Sequence, residues 1–154
     1  MTSTEQRVPT KVFATLRFAG DRLVPEQVTR ILKVVPTQAF RKGERYSGGS
    51  RTPNLTGQTG MWYFCTDHVV AGNRLSDHLA FIERLLEGSP TMTQALRNLV
   101  ARQSLQGTIG CFWHGGAGAK RPSIPRSLTI LCASIPARIE IDFDTDEQHE
   151  QRAA

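Results

Sequence analysis

Apolar residues in this chain recur at every second position in some stretches and at every third or fourth in others, with Gly and Pro at the changeovers. Period two lines one face of a strand, and period 3.6 lines one stripe of a helix. A chain that switches repeatedly between them must build a sheet and helices together.

The switches can be followed along the chain. Lys11 to Phe18 reads as a strand, with Val12, Ala14, Leu16 and Phe18 on one face and Thr15 and Arg17 on the other. Gly20-Asp21 marks a turn. Pro25 suits the first position of a helix, and Glu26 follows where the helix dipole favours a carboxylate. Val28, Ile31, Leu32 and Val35 continue at helical spacing until Pro36. Residues 37–46 read as a short strand entering a basic turn at Gly43, 47–60 as a mobile Gly/Ser/Thr/Pro loop, and 61–68 as an aromatic strand. Leu75, Leu79, Ile82 and Leu86 form a helical stripe that ends at Gly88 and Pro90. Met92, Ala95, Leu96, Leu99 and Val100 form a second stripe, which predicts an αα-hairpin. Residues 108–114 return to strand, 115–122 to flexible loop, and 125–134 to a short helix with Leu128, Leu131 and Cys132 inward. Finally, Ile139, Ile141 and Phe143 alternate with Glu140, Asp142 and Asp144, the pattern of a half-buried strand solvated on one face.

The resulting order, β-α-β-β-α-α-β-α-β, predicts an α+β fold. The expected form is a ferredoxin-like sandwich, a mixed or mostly antiparallel sheet of four to five strands with helices packed on one face. A flexible N-terminus over 1–10, one domain over 11–146 and a disordered acidic tail over 147–154 complete the expectation.

At 154 residues the chain buries enough surface to fold without disulfides or metal. It has no run of about 20 apolar residues, so no membrane span is expected. The polar first ten residues lack a secretory h-region, which makes the cytoplasm the expected location. Cys65, Cys111 and Cys132 sit in apolar runs and are odd in number, as befits core thiols in a reducing compartment. Charge is uneven: residues 1–139 hold 18 Lys+Arg and 8 Asp+Glu, whereas 140–154 hold 1 and 6. That asymmetry predicts either an acidic partner for the basic body or self-neutralisation, with the acidic strand lying near the basic turn.

Few motifs carry chemistry. Cys65-x-x-His68 and Cys111-x-x-His114 have zinc-like spacing, but residues i and i+3 of a strand point to opposite faces, so no metal site is expected. His114-Gly-Gly-Ala-Gly118 lacks the nucleophile elbow that an oxyanion loop serves, and Gly115 to Arg121 lacks the G-K-[ST] of a phosphate loop. His78, near the start of a helix, is a titratable candidate that flanks the apolar stripe. Arg41, Lys42 and Arg45 crowd one turn, with Arg51 further along, and can hold a phosphate or carboxylate. Trp62 and Tyr63 in the next strand offer stacking surfaces.

Several segments together resemble a bacterial family, domain of unknown function 4279. They are Ala14-Thr-Leu-Arg-Phe18, Gly20-Asp21, Leu23-x-Pro25-Glu26-x-Val28-Thr29-x-Ile31-Leu32 and Pro36-Thr37-x-x-Phe40-Arg41-Lys42-Gly43-Glu44. Thr59-Gly60-x-Trp62, Asp77-His78-Leu79 and Ile141-Asp142-Phe143 complete the match. Phe40 stands where the family more often has Trp, and the loop from Tyr46 to Thr59 is long for it. The resemblance implies a recurring turn at Arg41 to Glu44 and a recurring Trp62, but no reaction, cofactor or substrate.

The reading that follows is a small, non-catalytic binding or protein-interaction module with no cofactor and no membrane. Its candidate ligand patch is Arg41, Lys42, Arg45, Trp62, His78 and Asp142. An exposed edge strand allows a homodimer. One alternative is a nucleic-acid or anion binder using the Arg41–Arg45 turn and Trp62. A second is a small enzyme pairing His78 with Asp142 or Glu44.

Overall fold

The computed structural model describes residues 11–48 and 54–146. The N-terminal segment and the acidic tail expected from sequence lie outside the described residues, as does the middle of the 47–60 loop.

Alternating Val12, Ala14, Leu16 and Phe18 make β1 (Lys11–Gly20) the centre of a five-stranded sheet ordered β2-β5-β1-β6-β7. β5 (Gly60–Cys65) and β6 (Gln106–Gly115) run antiparallel to β1 on either side. β2 (Gln38–Phe40) pairs antiparallel with β5, and β7 (Ala137–Thr145) pairs parallel with β6. The sheet is therefore mixed. Residues 55–56, expected in a loop, form β4 (Leu55–Thr56) and pair with β3 (Arg45–Tyr46). Tyr46 stacks on Phe40 at 4.0 Å and docks this small ribbon beside the end of β2.

Helix α1 (Pro25–Leu32) starts at Pro25 as expected and ends at Lys33, whose left-handed φ of 57° lets its N–H bond the Thr29 carbonyl at 2.7 Å. Helices α2 (Leu75–Leu86) and α3 (Pro90–Arg102) follow one another, and Ser89 caps the second by accepting from the Met92 N–H at 3.1 Å. Helix α4 (Arg126–Ser134) joins β6 to β7.

All four helices cover the same sheet face. Leu16, Phe18, Trp62 and Ile109 are fully buried there against Val28, Leu79, Ile82, Leu86, Leu99 and Leu128. Each such side chain contributes about 1.5–3 kcal/mol. By the same alternation Phe13, Arg17, Tyr63, Phe112 and His114 project from the opposite, helix-free face.

Further expectations need correction. The first helix does not reach Pro36: its last helical residue is Leu32, and Val35 lies beyond it, 81% exposed. The strand expected to run to His68 stops at Cys65, because residues Thr66–His68 form a 3-10 turn. The buried Thr66 hydroxyl accepts the Ala14 N–H at 2.9 Å and holds the turn against β1. The last strand is only partly half-buried: Ile141 is 56% exposed, since β7 is an edge strand. The basic turn does not lie near the acidic strand either. The turn follows β2 and the acids lie on β7, four strand spacings apart, roughly 19 Å.

Candidate functional site

The residues singled out from sequence do not form one patch. Trp62 is buried on the helix face, where its indole N–H donates to the Thr29 hydroxyl at 3.0 Å, so it presents no ring to a ligand. Arg41 reaches the Glu26 carboxylate at 3.1 Å and Glu44 at 3.9 Å, and Lys42 reaches Asp21 at 3.2 Å. Arg45 is exposed on β3. Asp142 lies across the sheet on β7.

His78 belongs to the core and does not flank it; it is 1% exposed. The Thr66 hydroxyl, already accepting from Ala14, donates to His78 Nδ1 at 2.6 Å, and His78 Nε2–H donates to the Gly72 carbonyl at 2.9 Å. The Gly72 carbonyl can only accept, so Nε2 carries a proton. Both ring nitrogens are occupied, and neither meets a carboxylate. The enzyme alternative, which needs such a meeting, loses its geometry.

The segments that carry the family resemblance hold one another. The Arg41–Glu44 turn, closed by Gly43 at φ 87° and by the Arg41 N–H donating to Glu44 at 3.1 Å, is tied by its two cations to Asp21 and Glu26. The Thr59 hydroxyl, followed by Lys42, keeps the Asp21 carboxyl below its ordinary value. Thr37 accepts the Cys65 N–H at 2.9 Å. These residues organise one end of the fold.

A different site appears on the helix-free face. Phe13 of β1 and Phe112 of β6 sit opposite each other and stack at 4.5 Å with 14° between their planes. The stack rests on Gly110: a Cβ there would come within 2.7 Å of the Phe112 ring and 2.4 Å of the Thr15 hydroxyl. Beside it lies a shallow groove of about 230 Å³ lined by Lys11, Phe13, Phe112, Trp113, His114, Asp142 and Asp144. Lys11 holds its ammonium 5.3 Å from the Phe13 ring centre, and His114 Nε2 lies 2.7 Å from Asp146. Cys111, one residue from Phe112, turns into the core, so it and His114 face opposite sides of β6.

Elsewhere on this face chemistry is muted. Burial pushes Tyr63 up to about 12, with Cys65 and Asp67 adding to the shift, and burial likewise raises Cys65. The core thiols Cys111 and Cys132 are raised by burial to about 12 and about 11. Such thiols are poor nucleophiles. Among the described residues no three His, Cys, Asp or Glu side chains converge as metal ligands.

Sequence reasoning missed Phe13 and Phe112. The signal was their phase: each is an aromatic one step out of register with the buried row of its strand.

The class this architecture defines is a mixed α+β fold, a five-stranded sheet with helices on one face and the other face uncovered among the described residues. Within it, the chain belongs to the family described as a domain of unknown function, DUF4279, whose model matches residues 10–147. No curated protein and no solved structure matches it. Among the described residues no helix is long and apolar enough to cross a membrane.

Proposed function

We propose that this domain is a non-catalytic module that binds another protein, and that the Phe13–Phe112 face takes a cationic side chain of that protein. The observation that carries the reading is the half-buried stacked aromatic pair beside Asp142 and Asp144, which no helix or strand among the described residues covers. Ring faces attract a cation within about 6 Å, and neighbouring carboxylates add charge attraction. Lys11 already holds a cation over the Phe13 ring, which leaves the Phe112 side, opposite Asp142, for the partner's. The acids of β7 repel phosphate, and Arg41 and Lys42 are engaged with Asp21, Glu26 and Glu44, so the nucleic-acid alternative has less support. We also read the β1-α1-β2-β5-α2-α3-β6 part as ferredoxin-like, supported by its antiparallel order β2-β5-β1-β6, with β7 appended. Three buried unpaired thiols support a reducing, cytoplasmic setting.

The test is a calorimetric titration with blocked Arg-Arg dipeptide. The wild type binds saturably, and Phe112→Ala and Asp142→Asn each weaken binding about fivefold. A wild type that binds nothing, or variants that bind equally well, would refute the reading.

A further inference from the structure

We infer that the groove between the end of α1 and the α2–α3 junction is a second binding site, which takes a small aliphatic molecule with a carboxylate head. The groove lies on the helix side of the sheet, so the inference stands independently of the Phe13–Phe112 face.

The groove exists because the helices around it pack on different supports. α1 packs on α3 and β5, whereas α2 packs on β1, β6 and α4. The gap that remains measures about 530 Å³. Small-ligand sites run from roughly 300 to 1,000 Å³. Ile31 of α1, Leu85 of α2, and Met92 and Ala95 of α3 wall it, and each is only partly buried. No aromatic ring lines it among the described residues, so it suits an aliphatic chain and not a stacked ring. Met92 is unbranched and can re-aim its thioether around such a chain.

The charge around these apolar walls has one sign. Lys33 and Arg84 line the groove, both are exposed, and neither is in an ion pair among the described residues. The acids of α2 beside them face elsewhere. Glu83 accepts from the Ser127 hydroxyl of α4 at 2.8 Å, and Glu87 lines a separate hollow with Pro90 and Arg97. Ser89 and Thr91 add hydroxyls, which can donate to a carboxylate. α1 ends where α3 begins, so the two helix dipoles offset and the two cations set the sign. A protein partner fits less well. A stable protein interface takes roughly 20–30 residues a side, and the groove offers ten.

The test titrates decanoate, below the concentration at which it self-assembles, into the full chain and follows methyl spectra. Saturable shifts are expected at Ile31, Leu85, Met92 and Ala95. Octanoate, with two fewer methylenes to bury, should bind about fivefold more weakly. Decyltrimethylammonium, the same chain under the opposite charge, should bind at least about tenfold more weakly. Lys33→Asn combined with Arg84→Gln changes only exposed side chains, and Asn tolerates the left-handed φ of 57° at position 33. That variant should lose about fivefold for decanoate and nothing for neutral decanol. Ala95→Phe fills the groove and should remove binding of both. No saturable shift at the four methyls, or equal binding of the two charged decyl compounds, overturns the inference. So does a response that begins only at self-assembly. An acidic amphipathic peptide that moves the same methyls at tenfold lower concentration overturns it in favour of a protein partner.

Discussion

Replacing His78 by Leu separates a structural histidine from a chemical one. The ring bridges the Thr66 hydroxyl at 2.6 Å and the Gly72 carbonyl at 2.9 Å, and Thr66 in turn holds the Ala14 N–H of the central strand at 2.9 Å. Leu has similar bulk, so little cavity forms. Two neutral hydrogen bonds at about 0.5–1.5 kcal/mol each are lost, and the fully buried Thr66 hydroxyl loses its acceptor at a further cost of about 1–3 kcal/mol. The Gly72 carbonyl recovers a partner from water. The expected loss is about 2–6 kcal/mol, a Tm drop on the order of 10 °C for a domain this size. Urea unfolding checks it, with exposed His68→Leu as the control. A double-mutant cycle with Thr66→Val should return a coupling of about 1 kcal/mol. A His78→Leu loss below about 0.5 kcal/mol, or one no larger than the control, would refute the bridge.

Gly110→Ala pushes a methyl into the Phe112 ring and the Thr15 hydroxyl, so it should cost about 1–3 kcal/mol and erase the Phe13–Phe112 ring-current shifts in proton spectra. Burial raises Cys111 from 9.0 to about 12 and Cys132 from 9.0 to about 11. The unfolded thiols ionise first, so their contribution is whole below pH 9 and is lost as pH climbs toward 12. The urea midpoint should accordingly fall above pH 9, and a flat profile up to pH 11 would contradict the burial. Lys42→Met breaks an exposed ion pair with Asp21 and should leave the urea midpoint indistinguishable from that of the wild type.

Local patterns were readable where one physical cause dominated. Pro25 opens a helix because the first helical N–H needs no partner, and the stripe from Leu75 to Leu86 is buried as its spacing requires; Pro90, expected as a stop, opens the next helix for the same reason as Pro25. His78 was misplaced by its polarity alone. It stands three residues after Leu75 and four before Ile82, on the buried stripe, and only the distant Thr66 and Gly72 explain how a polar ring is accommodated there. Thr66 likewise leaves the strand for a contact with Ala14 that no local pattern records. Arg41 and Lys42 looked like a ligand patch until the turn was seen against Asp21 and Glu26, which lie 15 to 21 residues earlier. The Phe13–Phe112 stack depends on strand register across 99 positions of sequence, and register is a property of the whole sheet.

Chemical-shift mapping of the isotope-labelled domain with blocked Arg-Arg dipeptide tests the binding face most directly. The expected changes gather at the rings of Phe13 and Phe112 and at His114, Asp142 and Asp144. Changes confined to the Arg41–Arg45 turn or to the helices, with both phenylalanine rings unmoved, would contradict it.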